Sequence, residues 1–363
     1  MRILTLLAAA AAISLVGCPS SPSAISMIGD ASKVSAKEDA APVAAHVQQS
    51  LSDNLAKRGL STELHGAWQV LHGILAYGQD FTLQTGRGSQ PAVDYLLSGG
   101  ALDGFNPRAG DMIGSPPRRG VRVELQPDSK IGQGHRDQWL AVILQSGVSE
   151  DDSITTVDGD YTIRDWINQT QFDVPLNLET EFSWTLIALT ALDPTTQTWV
   201  ARDGETYSTE LLLQSEVQQY QESAQSGACG GTHRLIGIAM ALNKRRAEKL
   251  PMDGVWAEAE QVVSDAIEVA RQNQNPDGSY STSYFHRQGW TRDLGESLGT
   301  TGHVLELLAI AAPQETLSQP WIERTARRLC EILDQCEGID LECGVLYHAL
   351  HGLAEFQKRS VQD

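Results

Sequence analysis

The chain has 363 residues and a formal net charge of −19, with 46 acidic against 27 basic side chains. That balance argues against nucleic acid and anionic lipid headgroups as partners, because a polyanion would be repelled. The length suits one large domain or two ordinary ones, enough to bury a sizeable core.

Residues 1–17 open with Arg2 and an apolar run, ILTLLAAAAAISLV (3–16). The run has the length of an export signal and is too short and Ala-rich for a good membrane span. It ends in SLVGC, where small residues precede Cys18, and so resembles the lipobox of bacterial lipoproteins. The resemblance implies cleavage before Cys18 and lipidation of that cysteine. The mature protein would then sit in the cell envelope, facing the periplasm or exterior and joined to the membrane through its N-terminal lipid only. Pro19 stands where an Asp would mark retention at the inner membrane. Residues 18–43, rich in Ser, Ala and Pro, read as a flexible tether, and 44–363 as the folded domain.

From residue 44 two kinds of helical segment alternate. One kind is charged on one face: 44–58, 91–99, 162–171, 209–223, 255–273 and 321–335. The other is small and apolar nearly all round: 65–78, 135–147, 180–192, 231–242, 301–312 and 343–356. An amphipathic helix lies on a surface, whereas one apolar all round is buried. Six such pairs predict an all-α fold, an (α/α)6 toroid with the buried helices as an inner ring; an open solenoid of helical hairpins is the alternative. A Gly-rich insertion over 84–134 interrupts the rhythm, and a short β-hairpin is expected within 119–134. Insertions of that length are usually functional or mobile.

The segment QNPDGSY (Gln274–Tyr280) has a Gln, then Gly four residues on, then an aromatic, between a wet and a buried helix. It resembles the QW-type turn of squalene–hopene cyclases, and with the helix rhythm it makes the chain look like a member of the terpenoid-cyclase/prenyltransferase toroid superfamily. That resemblance implies the toroid fold. The Asp-x-Asp-Asp proton donor of the cyclases and the Asp-x-Cys pair of the protein prenyltransferases are both missing, so neither activity carries over.

Seven of the nine histidines fall in the buried segments. His65, His135, His233 and His303 occupy equivalent first-turn positions, and Cys343 takes that place in the sixth. In a toroid these would converge on one mouth, where helix N-termini favour neutral imidazole, the form that ligates metal or accepts a proton. His135, His233 and His303 are therefore candidate catalytic residues, with Asp137 (in GHRDQW) and Glu306 as their orienting carboxylates. His65, Trp68, Trp184 and Arg234 are candidate ligand-binding residues at the same mouth. His348 and His351, one turn apart, read as core histidines.

Four cysteines follow Cys18: Cys229, Cys330, Cys336 and Cys343. In an oxidising compartment they allow three pairings. A local disulfide among the last three would leave Cys229 as a free thiol or a metal ligand. In SGACGGTHRL (226–235), Cys229 stands four residues before His233. With His303 they form a soft-plus-imidazole set that would suit zinc, although the paired Cys-x2-Cys of a strong zinc signature is missing. The glycines are equally those of a tight turn before a helix. Two functions remain open: an envelope lipoprotein that binds a ligand or partner at the mouth without catalysis, or an envelope enzyme. The enzyme would be a hydrolase or lyase acting on a small-molecule, saccharide or peptide-like substrate, with zinc as its cofactor in one version.

Overall fold

The computed structural model describes residues 42–127, 129–224 and 227–360. The signal segment, nearly all of the tether and Cys18 lie outside them. The first helix, α1 (Val43–Lys57), leads through the short strand β1 (Leu60–Ser61) to α2 (Ala67–Tyr77). Then follow strands β2 (Thr82–Thr85) and β3 (Gly88–Pro91), α3 (Ala92–Leu97), β4 (Pro107–Ile113), β5 (Arg118–Val123) and α4 (Gln138–Gln145). The middle of the chain holds β6 (Ser153–Thr156), β7 (Gly159–Thr162), α5 (Ile163–Asp173), α6 (Ser183–Leu192), β8 (Thr198–Val200), β9 (Thr206–Ser208) and α7 (Thr209–Glu222). The remainder is helical: α8 (Thr232–Ala247), α9 (Val255–Asn273), α10 (Leu294–Ala311), the single turn α11 (Gln314–Leu317), α12 (Pro320–Gln335) and α13 (Cys343–Ser360).

The expectation of an all-α toroid is therefore corrected. The protein is mixed α/β, 56% helical and 14% strand, with four small sheets of three, two, two and two strands. Three of the hairpins, β2–β3, β6–β7 and β8–β9, each run straight into the helix that follows, α3, α5 and α7. Their strands are three or four residues long, too short to show an alternating pattern. The hairpin of the insertion also lies elsewhere than expected: β4 pairs antiparallel with β5, so the turn falls at 114–117. The stretch after β5 is a loop. Its Ile131 carbonyl and that of Asp103 accept from the backbone N–H groups of Trp68 and Ala67, serving the first turn of α2.

The helices fall close to the spans read from the sequence. α12 buries Ile322, Ala326, Leu329 and Leu333 along one stripe, whereas α10 is buried continuously from Ser297 to Ile310. The buried kind pack in sequence, α2 on α4, α4 on α6, α6 on α8, α8 on α10 and α10 on α13, and α13 packs back on α2. The most intimate crossing is α10 on α13. A Cβ on Gly302 would lie 2.7 Å from the Ala349 Cα, and one on Gly352 would lie 2.8 Å from the Glu306 backbone nitrogen. Only bare glycine backbone permits that approach, and it places Glu306 against α13. Among the described residues no helix is long and apolar enough to cross a membrane.

The QW-like segment is a staple. Gln274 Nε2 donates to the Trp321 carbonyl and to Thr325 Oγ1, each at 2.7 Å. The Arg324 guanidinium donates to Gln274 Oε1, and the Tyr280 ring is buried. These contacts tie the end of α9 to α12. The four described cysteines are all unpaired thiols, so no local disulfide forms among Cys330, Cys336 and Cys343.

Candidate functional site

The site is built around the corner that opens α8. Cys229, Gly230 and Gly231 take the left-handed conformation in succession, with φ of 51°, 67° and 82°. For glycine this is free, but for Cys229 it costs on the order of 1 kcal/mol. Thr232 Oγ1 donates to the Cys229 carbonyl at 2.9 Å and locks the turn. The turn aims the Cys229 thiol back across the first turn of α8, toward His233.

His303 reaches the same point from α10. It does not stand in a first turn as expected, because α10 begins at Leu294, nine residues earlier. The Asp293 side chain caps that start by accepting from the Glu296 N–H at 2.9 Å. His303 Nδ1 lies 2.7 Å from the Gly299 carbonyl. A carbonyl only accepts, so Nδ1 carries the proton and Nε2 presents a lone pair. Burial lowers the His303 pKa, against Glu306 and the Gly299 bond, which keeps the ring neutral. The ligand atoms of Cys229, His233 and His303 all lie within 4.8 Å of one another. His303 Nε2 and both ring nitrogens of His233 are buried without a hydrogen-bond partner. Each such buried atom left unpaired costs about 1–3 kcal/mol. Burial pushes the Cys229 thiol up, but the adjacent His233 and the Tyr284 hydroxyl outweigh it, so its pKa is lowered.

These groups face a cavity of about 430 Å³, which Trp68, His72, His135, Tyr284 and His348 also line. The His348 ring stacks on His303 with centroids 4.2 Å apart. Its Nδ1 is 2.9 Å from Glu306 Oε2, and His351 Nδ1 is 2.6 Å from the other oxygen. Glu306 is thus shared by two imidazoles of α13. Burial raises its pKa, but the two histidines reverse this and hold the carboxyl well below its ordinary range. The His351 ring, lowered by burial, is raised on balance by the same carboxylate.

The remaining sequence candidates divide. Trp68 is at the cavity and donates from Nε1 to Glu342 at 3.1 Å. His135 is there too, but its partner is Glu181, with Nδ1 2.6 Å from Oε1. Asp137 does not orient it; that side chain turns away to accept from Thr170 and Thr185 at 3.0 and 2.7 Å. Burial raises the Asp137 pKa to about 6, against those two hydroxyls. Glu306 serves His348 and His351 instead of pairing with His303. Trp184 is buried behind His233, ring centroids 5.2 Å apart. Arg234 is a packing residue: its Nε lies 3.1 Å from Glu216, which also accepts from the Phe182 N–H at the start of α6. His65 stays in the turn before α2, its ring against the Ser61 backbone. His72, Glu181 and Tyr284 were not among the site candidates named from the sequence. His348, read there with His351 as a core histidine, is buried and also lines the cavity.

The arrangement offers one sulfur and two imidazole donors beside a cavity, a donor set of the kind that could hold a metal ion such as zinc. No family model, curated protein or solved structure matches the chain.

Proposed function

We propose that the chain is a zinc-dependent hydrolase of the cell envelope, acting on a carbonyl-containing, peptide-like substrate. One observation carries this: the convergence of Cys229, His233 and His303, with three imidazole nitrogens buried and unpartnered. Buried polar atoms are almost always satisfied, and a metal ion would take one nitrogen from each ring, two of the three. Zinc with three protein ligands supplies a polarising centre and an activated water. His348 lines the cavity beside that set with Nδ1 engaged by Glu306, so Nε2 is the nitrogen available to a proton in transit. Glycoside hydrolysis normally uses two free carboxylates. The cavity's carboxylates are engaged elsewhere: Glu342 accepts from Trp68 and the Val345 N–H, and Glu296 from Thr291. This favours an amide or ester over a saccharide. The lipobox-like SLVGC supports the location.

A second reading has Cys229 as a nucleophile with His233 as its base, favoured by the left-handed backbone of Cys229 and the lowered thiol. Metal analysis of the purified protein decides between them. About one zinc per chain, lost in Cys229→Ser and in His303→Ala, is expected for the metal centre. Metal-free protein whose Cys229 is alkylated rapidly near neutral pH would overturn it in favour of the thiol.

A further inference from the structure

We propose that Tyr284 is a positioning residue of this centre, donating its hydroxyl hydrogen to the Cys229 sulfur and so setting the bond between that thiolate and the metal. The inference rests on the zinc reading above. Its basis is geometric. Tyr284 has φ of 54°, a left-handed backbone that a bulky aromatic side chain adopts only when its surroundings impose it, at a cost of about 1–3 kcal/mol.

The surroundings here are specific. The Tyr284 N–H donates to the Ser281 carbonyl at 2.8 Å, and the Ser281 hydroxyl donates to the Arg287 carbonyl at 2.5 Å. The next residue, Phe285, is fully buried, and its carbonyl accepts from Asn273 Nδ2 at 3.0 Å. His286 Nε2 donates to the Gly230 carbonyl at 2.7 Å. The loop is therefore fastened on both sides of Tyr284 and to the corner itself.

So held, the Tyr284 side chain lies against Gly230, where a Cβ would come within 2.5 Å of its Cδ2. Its edge meets His303 at 6.0 Å between centroids, with planes at 87°. Its hydroxyl lies beside the Cys229 thiol, within range to act on it. One side chain thus touches two of the three ligands and the hinge glycine between Cys229 and His233. A phenylalanine would fill the same space, so the hydroxyl is the part that packing does not require. A hydrogen bond onto a metal-bound thiolate withdraws charge from sulfur, and partners of that kind are worth about 10–100-fold in metal affinity.

The test uses cobalt(II) as a visible substitute for zinc in the whole protein. The wild type should bind cobalt with a near-ultraviolet thiolate-to-metal charge-transfer band. Tyr284→Phe should move that band to lower energy and weaken binding about 10–100-fold, with the thermal midpoint of the metal-free protein unchanged. Gly230→Ala, which pushes the ring off the corner without touching its hydroxyl, should produce the same displacement of the band. An unchanged band and an affinity within about twofold in Tyr284→Phe would overturn the positioning role and leave the metal centre standing. A wild-type protein that takes up no cobalt would overturn the metal reading and this inference with it.

Discussion

Two groups of buried histidines lie side by side in this protein, and they are opposites. In one, Glu306 accepts from His348 and His351, and the Nδ1 of each ring is satisfied within 3 Å. In the other, His233 and His303 come from equally buried helices, yet three of their four ring nitrogens have no hydrogen-bond partner. The two groups touch, His303 stacked on His348, so neither burial nor aromatic packing separates them. What separates them is hydrogen bonding: in the first group each Nδ1 is paired with Glu306, and in the second three ring nitrogens have no partner within the fold. Buried histidines alone therefore do not single out a candidate site, whereas buried and unpartnered ones do.

The largest effect expected on the balanced side is that of Glu306→Ala. It leaves two buried imidazoles without their shared acceptor, and removing one partner of a buried pair costs about 3–5 kcal/mol. Urea unfolding measures it, and a loss below about 1 kcal/mol would show that the balance is not what holds α10 to α13. Acid should act on a third ring, His72, whose Nδ1 donates to the Trp68 carbonyl at 2.5 Å. Burial, then His348, lowers its pKa from 6.5 to about 3. The unfolded chain takes up a proton below 6.5 that the folded ring refuses. Its contribution is therefore fully present above 6.5 and falls toward pH 3, by up to about 1.4 kcal/mol per pH unit. Unfolding of metal-free protein across that range should show the slope, and His72→Gln should flatten it; an equal slope in the variant would assign the effect elsewhere.

Gly302→Ala inserts a methyl group 2.7 Å from Ala349 and should cost about 1–3 kcal/mol, read as a lowered thermal midpoint. The smallest effect falls on the incomplete side. His303→Leu removes an unsatisfied group from the metal-free protein, so its stability should change by less than about 1 kcal/mol while metal binding disappears. A large destabilisation there, with no metal present, would mean that His303 Nε2 has a structural partner after all and would erase the contrast.

Much of this frame was readable in the sequence, for unequal reasons. The helices were legible because each carries a long apolar pattern with period 3.6, and burial follows it. The sheets were not, because β2 to β9 make short hairpins whose pairing is set by local turns. The start of α10 was misjudged because LGESLGTTG is glycine-rich and looks like a loop. The usable signal was Asp293 followed three residues later by Glu296, a helix-start pair that the structure confirms as an N-cap. Cys229, His233 and His303 could be named as a set from residue type alone. Their company could not. Glu306 meets His348 through the glycine-lined crossing of two helices 42 residues apart in register, and Tyr284 meets Cys229 through a loop whose backbone is left-handed at a tyrosine. Asp137 misled for the same reason: two residues from His135 in sequence, it is turned by its own left-handed backbone, φ 63°, toward Thr170 and Thr185.

The packing of α13 back onto α2 also fixes an order of events. The cavity has walls from α2 and from α13, near opposite ends of the described chain. During synthesis, Cys229, His233 and His303 emerge before residue 343, when the wall that α13 supplies is still missing. His348 and His351 arrive with α13, which must find both α2 and, on α10, the Glu306 carboxylate across a long sequence separation. Docking of α13 and completion of the cavity wall are therefore the same step, and a chain interrupted before residue 343 lacks that wall.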